Sequence, residues 1–349
     1  MRITLDGLQT TVRRREGTRL TRSTEPAGAA RKPLLEVRNL QKHYRVNGGA
    51  EQQTIKAVNN VSLQLYDGET YGLVGESGCG KSTLGKTLLR LLPATSGEVH
   101  YEGKNLFQLR EKEMRQVRQH LQMVFQDPYT SLNPRKRVGS IIGEGLKIHG
   151  VRSKAERRER VLAILEKIGL QPEHVDRFPH ELSGGQRQRI GLARALVLQP
   201  RLVVCDEPVS ALDVIIQSQI VNLMRKLQQE LRLTYLFIAH DISVVRYVSD
   251  RIGVMYLGRL VEEADTNTLF TSPKHPYTKV LLSSVPVPDP TVKRTRIPLT
   301  GELPSPLDLP SGCVFHTRCP YATARCRDEE PAFRQIAPNH SAACHLQDD

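Results

Sequence analysis

The sequence predicts an α/β protein: a largely parallel sheet covered by helices, opened by alternating strands and followed by a small Cys-rich C-terminal extension. Three observations predict it. A short apolar run, ETYGLVG, leads into the glycine-rich stretch GESGCGKS at 75–82 and then into the helical pattern KSTLGKTLLRLL, ended by Pro93. Two more apolar runs, RLVVCDEP and LTYLFIAH, alternate with helical segments, and strands alternating with helices give parallel sheets buried on both faces. After about residue 265 the texture changes, first to recurrent proline and then to cysteine.

The elements follow in order. Residues 1–32 carry eight Lys/Arg against three Asp/Glu without apolar periodicity and read as a disordered basic arm. LLEVRNLQKHYRV, from Leu34 to Val46, alternates like a strand; Gly48-Gly49 marks a loop; AVNNVSLQLYDGE resumes the alternation and ends in the turn Asp67-Gly68. Residues near 111–195 read as mostly helical. Within them Val161, Ile164, Leu165 and Ile168 fall at i, i+3, i+4 and i+7 on one buried face, and KAERRER is the solvated opposite face. The prolines at 273, 276, 286, 288, 290, 298, 304, 306 and 310 predict an extended linker to a cysteine-rich unit at about 311–346. The expected division is thus 1–32, 33–265 with a helical part at about 115–195, and 266–349.

The chain has 349 residues, 39% of them hydrophobic, and a formal charge of +13. No stretch approaches the roughly 18 apolar residues of a membrane span, and no apolar signal segment opens the sequence, so a cytosolic protein is expected. The basic balance would suit nucleic acid, but much of it sits in the N-terminal arm. The phosphate-binding pattern below has no place in a nucleic-acid module, so no nucleic-acid partner is expected.

GESGCGKS fits G-x-x-x-x-G-K-S/T with a strand before and a helix after it. Gly75, Gly78 and Gly80 let the backbone approach a polyphosphate and turn its N–H groups toward the oxygens. The helix starting at Lys81 adds its positive end. Lys81 would reach the β- and γ-phosphates and Ser82 would ligate Mg²⁺, with Glu76, Ser77, Cys79 and Thr83 completing the cradle. RLVVCDEP ends an apolar strand in two acids. Asp206 would hold Mg²⁺ and Glu207 would polarise an attacking water as general base. Leu182-Ser183-Gly184-Gly185-Gln186 then opens a second glycine-rich helix N-terminus, one anion site more than a single nucleotide needs.

LSGGQ together with GESGCGKS and VVCDEP resembles the ATP-binding cassette (ABC) family over about residues 34–265. The resemblance implies a P-loop NTPase cassette: a RecA-like mixed sheet core, an antiparallel β part and an α-helical subdomain. It implies ATP and Mg²⁺, and an ATPase. Gln126 in MVFQDP resembles the Q-loop, which senses the γ-phosphate and the metal. Ser210-Ala211-Leu212-Asp213 resembles the D-loop at a dimer seam, His240 in FIAHD the switch histidine, and Tyr44 the ring that stacks on adenine. In that family residues 182–186 close over the ATP of a partner cassette, which explains the spare anion site. QDPYTSLNPR, SPKHPYTKVLLSSVP and GELPSP are similar to the ATPases of oligopeptide, dipeptide and nickel importers, most of all the F-type of two paired subunits. That resemblance implies two permease subunits, a second ATPase, an extracytoplasmic binding protein and a place on the cytoplasmic face of the membrane. A nickel importer and a soluble, non-transport ABC ATPase are the competing readings.

Cys313, Cys319, Cys326 and Cys344 offer four thiolates in a proline-rich segment, which suits an iron–sulfur cluster or Zn²⁺. The spacing lacks the C-x2-C knuckle common in zinc sites. Some peptide-importer ATPases carry a 4Fe–4S cluster in this tail, and the resemblance therefore favours the cluster over zinc or free thiols. His316 and His345 could substitute as zinc ligands, whereas Cys205 belongs to a buried strand.

Overall fold

A computed structural model describes residues 32–48, 51–285, 297 and 301–348. The basic arm up to residue 31 and, within the proline-rich stretch, residues 286–296 and 298–300 lie outside the described residues; Pro276, read as part of the extended linker, instead opens the helix Pro276–Ser283. Twelve strands are described in chain order: β1 Leu35–Gly48, β2 Glu51–Leu65, β3 Thr70–Val74, β4 Ser96–Tyr101, β5 Lys104–Asn105, β6 Leu121–Val124, β7 Leu202–Asp206, β8 Thr234–Ile238, β9 Arg251–Tyr256, β10 Arg259–Asp265, β11 Arg334–Ala337 and β12 His340–Ala342. They form a four-stranded antiparallel sheet, β2-β1-β4-β5, and an eight-stranded sheet, β11-β12-β10-β9-β3-β8-β7-β6.

The centre of the large sheet is parallel. β3 lies between β8 and β9, β7 pairs with β8 and β6 pairs with β7, all in parallel register. TYGLV, LVVCD and TYLFI are buried at every position because both faces are covered. Strand alternation divides the core in two. Leu73, Val204, Leu236 and Ile238 pack on the side of the antiparallel sheet, with Leu84 and Leu88 of the helix Lys81–Leu88. Val74, Val203, Cys205, Tyr235 and Phe237 pack on the other side. In the helix Lys154–Lys167, Val161, Ile164 and Leu165 are buried, and Ile168 follows at the C-cap, as their spacing predicts; Ser153 caps the helix by accepting from Glu156 N–H.

Two features depart from the expected outline. LQMV, inside the stretch read as helical, is β6, a sheet strand fixed by its register with β7 from Leu121↔Leu202 to Val124↔Cys205. A four-residue apolar run is strand or helix according to what it packs on, so tertiary pairing decides it. The second departure is the tail. β12 pairs with β10 through Glu262↔Ala342 to Ala264↔His340, so the C-terminal segment extends the main sheet. His340 Nε2 lies 2.7 Å from Glu262 Oε1, both side chains buried, and the same carboxylate accepts from the backbone N–H of Lys274 and His275. Phe315 is fully buried among Tyr256, Tyr277 and His275, with ring centroids 5.2, 5.4 and 5.6 Å away. A short cysteine-rich segment has little apolar mass of its own, and here it borrows the main core.

His275 is a buried N-cap whose Nδ1 accepts from Tyr277 N–H at 3.1 Å. Burial, and then nearby Lys279, lowers its pKa from 6.5 to about 3. A depressed imidazole stabilises the fold fully above the unfolded value, and that stability is lost as pH falls below about 6.5 toward 3, at ~1.4 kcal/mol per unit. His275→Asn, which keeps a cap acceptor, should flatten this part of the acid limb. Denaturant midpoints between pH 7 and pH 4 check it; identical slopes in both proteins would contradict the assignment.

Candidate functional site

The loop between β3 and the helix Lys81–Leu88 wraps around its own lysine. Lys81 is 4% exposed, and its Nζ donates to the carbonyl oxygens of Gly75 at 2.7 Å and Glu76 at 2.9 Å. An ammonium this buried must be partnered, and the loop supplies the partners from its own backbone. The turn is possible because Gly80 holds φ at 105°. A Cβ there would stand 1.9 Å from the carbonyl oxygen of Ala57, a backbone atom with nowhere to go. Cys79 is buried against the same lysine, Sγ 3.6 Å from Nζ; burial raises its pKa and Lys81 opposes the rise.

β7 delivers the two acids. Asp206, at its end, is 2% exposed and accepts from Ser82 Oγ at 2.6 Å, with Lys86 Nζ 3.7 Å from its other oxygen. Burial raises its pKa, against the pull of Ser82 and Lys86. A hydroxyl and a carboxylate meeting beside a phosphate-type loop are the hard oxygen donors Mg²⁺ takes, so the residues fit that ion. Lys86 was not foreseen; the signal was its i, i+4 spacing from Ser82 on one helix.

Glu207 follows with φ 45°, a left-handed conformation that a non-glycine residue holds only under constraint, at about 1–3 kcal/mol. Its N–H donates to Ile238 of β8 at 3.0 Å, and its carbonyl accepts from Ser210 N–H and Oγ–H. The kink swings the carboxylate toward two other residues: Gln126 Nε2 donates to Oε2 at 2.8 Å, and His240 Nδ1 lies 3.5 Å from the same oxygen.

These groups share one open cleft of about 690 Å³. Ser77, Gly78, Gly80, Lys81, Ser82, Thr83, Gln126, Glu207, Ser210, Ala211 and His240 line it, from four separate stretches of sequence. Ala57 and Asp127 line it too, without having been singled out. Tyr44 does not; its ring carries the ammonium of Lys42 at 4.7 Å. Leu182–Gln186 also stand outside this cleft. Leu182 is buried, and Ser183 and Gln186 cap the helix Gly184–Leu196 reciprocally: Ser183 Oγ accepts from Gln186 N–H at 3.3 Å and Gln186 Oε1 accepts from Ser183 N–H at 2.9 Å. Asp213 caps the helix Val214–Leu231 by accepting from Ile216 N–H, and Leu212 packs on the core beside it.

The tail cysteines are close enough to influence one another. Burial, and then Cys313, Cys319 and Cys326, push the Cys344 thiol up to about 11. Among the described residues, however, no group of three or more His, Cys, Asp or Glu side chains comes together to hold a metal ion. The geometry therefore lends no support to a cluster or to zinc. Also among the described residues, no helix is long and apolar enough to cross a membrane.

Residues 58–210 match the ABC transporter family, and residues 261–326 match the oligopeptide/dipeptide transporter C-terminal region. The chain is 53% identical over 324 residues to the oligopeptide transport ATP-binding protein AppF of Bacillus subtilis, covering 91% of this chain and 98% of that one. It is 50% identical over 322 residues to the oligopeptide transport ATP-binding protein OppF of Escherichia coli, covering 90% and 96%. Among solved structures, an ATP-binding cassette captured as a dimer in a post-hydrolysis state with ADP and Pi superposes with a TM-score of 0.59 at 31% identity, over 66% of this chain and 98% of that one.

Gly80→Ala should cost nucleotide affinity about five- to a hundredfold, since the new methyl can be accommodated only by reshaping the loop at ~1–3 kcal/mol. Titration with a fluorescent ATP analogue reads it, with the thermal midpoint showing that the rest of the chain is folded. Binding equal to wild type would remove Gly80 from the site.

Proposed function

The chain belongs to the ATP-hydrolysing subunits of ABC transporters, and from that premise we propose that it energises the import of di- and oligopeptides across the cytoplasmic membrane. The observation that carries this reading is the single cleft in which Lys81, Ser82, Glu207, Gln126 and His240 converge, in a chain whose likeness to oligopeptide transport ATP-binding proteins extends through the C-terminal region. A nickel importer or a soluble ABC ATPase would share the cleft; the extent of that likeness favours peptide transport.

In this reading Lys81 exchanges its two loop carbonyls for the β- and γ-phosphates. Ser82 and Asp206 would hold Mg²⁺, with Gln126 as a further ligand from the Q-loop resemblance, and the ion would supply positive charge against the phosphates. Glu207 takes the proton of the attacking water. Its carboxylate is pre-aimed by the backbone kink and steadied by Gln126 and His240, so little reorganisation is needed at the moment of attack. Residues 182–186 present a helix N-terminus to the ATP of a second cassette, with Ser210–Asp213 at the seam; a different partner subunit is expected from the F-type resemblance. Tyr44 would stack on adenine only after releasing Lys42. The remaining partners are two permease subunits and an extracytoplasmic peptide-binding protein, with the ATPase held peripherally at the inner face of the membrane.

The finer cofactor reading is a 4Fe–4S cluster on Cys313, Cys319, Cys326 and Cys344. Four thiols within residues 313–344 and the peptide-importer likeness suggest it, and the lack of a converged ligand set among the described residues stands against it. Protein purified without oxygen should be brown and lose its colour in Cys319→Ser; colourless, iron-free protein would end that reading.

Glu207→Gln should keep ATP binding and lower phosphate release by ~10²–10⁴-fold, the range for a lost general base. Lys81→Ala should lose binding itself. Cells carrying either variant should fail to take up a labelled tripeptide while taking up free amino acids normally. Normal hydrolysis by Glu207→Gln would remove Glu207 as the base, and normal peptide uptake in both strains would remove the transport assignment.

A further inference from the structure

The pattern G-x-x-x-x-G-K-S leaves position 76 free, and this chain fills it with glutamate. An acidic side chain on a loop that cradles a polyphosphate is electrostatically adverse unless something neutralises it. The neutralising group comes from 242 positions away: Arg318 Nη1 donates to Glu76 Oε2 at 2.9 Å and to Oε1 at 3.2 Å. Arg318 is nearly buried and Glu76 about a quarter exposed, so the pair is shielded from much of the solvent screening. Glu76 is held from the same region a second time, its backbone N–H donating to Tyr277 Oη at 2.9 Å. Its carbonyl is one of the two on which Lys81 rests.

Both holding groups are rigidly placed. Tyr277 is fully buried in the helix Pro276–Ser283, which His275 caps. Arg318 lies three residues after Phe315, whose ring fills the aromatic pocket; Arg318 N–H donates to Phe315 C=O at 3.0 Å, so the coil that inserts the phenyl also directs the guanidinium. Nη1 also reaches Tyr256 Oη at 3.4 Å, whereas Nε is buried and has no hydrogen-bond partner among the described residues.

We propose that Arg318 and Tyr277 are positioning residues for ATP: from the C-terminal region they hold Glu76, cancel its charge beside the phosphates and fix the carbonyl that Lys81 leaves when nucleotide binds. The inference rests on residues 75–82 being the ATP cradle. It makes the C-terminal region part of the nucleotide site within one chain, in addition to any contact that region makes with other subunits.

The test uses the purified full chain, a fluorescent ATP analogue and steady-state phosphate release. Arg318→Met leaves Glu76 unpaired and should raise the KM for ATP and the Kd of the analogue by about tenfold, the scale of a lost charge-assisted bond, with a smaller change in kcat. Glu76→Gln with Arg318→Met removes both charges and should recover most of that loss. Tyr277→Phe deletes one oxygen and should raise KM about threefold; it carries the test if Arg318→Met does not fold. A merely structural tail would lower the thermal midpoint in all three and leave KM of the folded protein unmoved, and that result overturns the proposal. So does a double variant no better than Arg318→Met. Lys81→Ala separates the two levels: if it binds ATP normally the cradle reading itself fails, whereas if it is inactive while Arg318→Met and Tyr277→Phe behave as wild type, only the present inference falls.

Discussion

Most of the site can be traced to one constraint, the burial of the Lys81 ammonium. A charge with so little access to water must be surrounded by acceptors, and the nearest available are the backbone carbonyls of Gly75 and Glu76. To present them the loop must double back tightly, which requires the positive φ of Gly80 and the close approach to Ala57. That approach in turn requires the antiparallel sheet to be seated against the main one, since Ala57 belongs to β2. The four-stranded antiparallel sheet is therefore part of the support of the loop.

The second support comes from β7. Its alternating residues fill both halves of the core, so its end is fixed in space, and two consecutive acids placed there face different tasks. Asp206 points inward to Ser82 and is desolvated; Glu207 is turned outward by an unfavourable backbone angle into a cleft where Gln126 and His240 meet it. Adjacent carboxylates thus acquire different surroundings through one kink, which keeps a prospective metal ligand and a prospective base from competing for the same position. Strain of this size persists because β8 and Ser210 hold the kink from both sides.

How much of this was legible depended on contiguity. GESGCGKS, VVCDEP and the buried runs around them are local patterns, and the structure places them where the alternation of strands and helices says they belong. The face of Val161, Ile164 and Leu165 was equally readable, because helical period is a local property. LQMV was not, since only its partner β7 makes it a strand. Residues 251–265 were placed in the 33–265 division but carried no secondary-structure expectation, and they form two strands of the main sheet. The tail read as a linker and a separate cysteine-rich unit, because nothing in its sequence shows that Phe315 has a pocket between Tyr256 and Tyr277 or that β12 completes the edge beside β10. Pairings across long separations are invisible to composition and periodicity alike. Arg318 and Glu76 are the extreme case, each unremarkable in its own window.

That separation has a consequence for how the molecule is made. A polypeptide emerges from its N-terminal side and folds as it emerges. The strands, loop and helices up to about residue 265 can find one another by comparatively short closures, but the Glu76–Arg318 and Glu262–His340 pairs must wait until nearly all of the chain exists. Contacts of such high sequence separation also form late on kinetic grounds, because ordering the intervening chain comes before any return from the contact. During synthesis a nascent cassette therefore passes through a stage with an assembled sheet, an open edge at β10 and an unneutralised glutamate on its glycine loop. A product interrupted at that stage would carry the whole glycine-loop motif and still leave Tyr256 without the Phe315 ring that packs on it in the finished molecule.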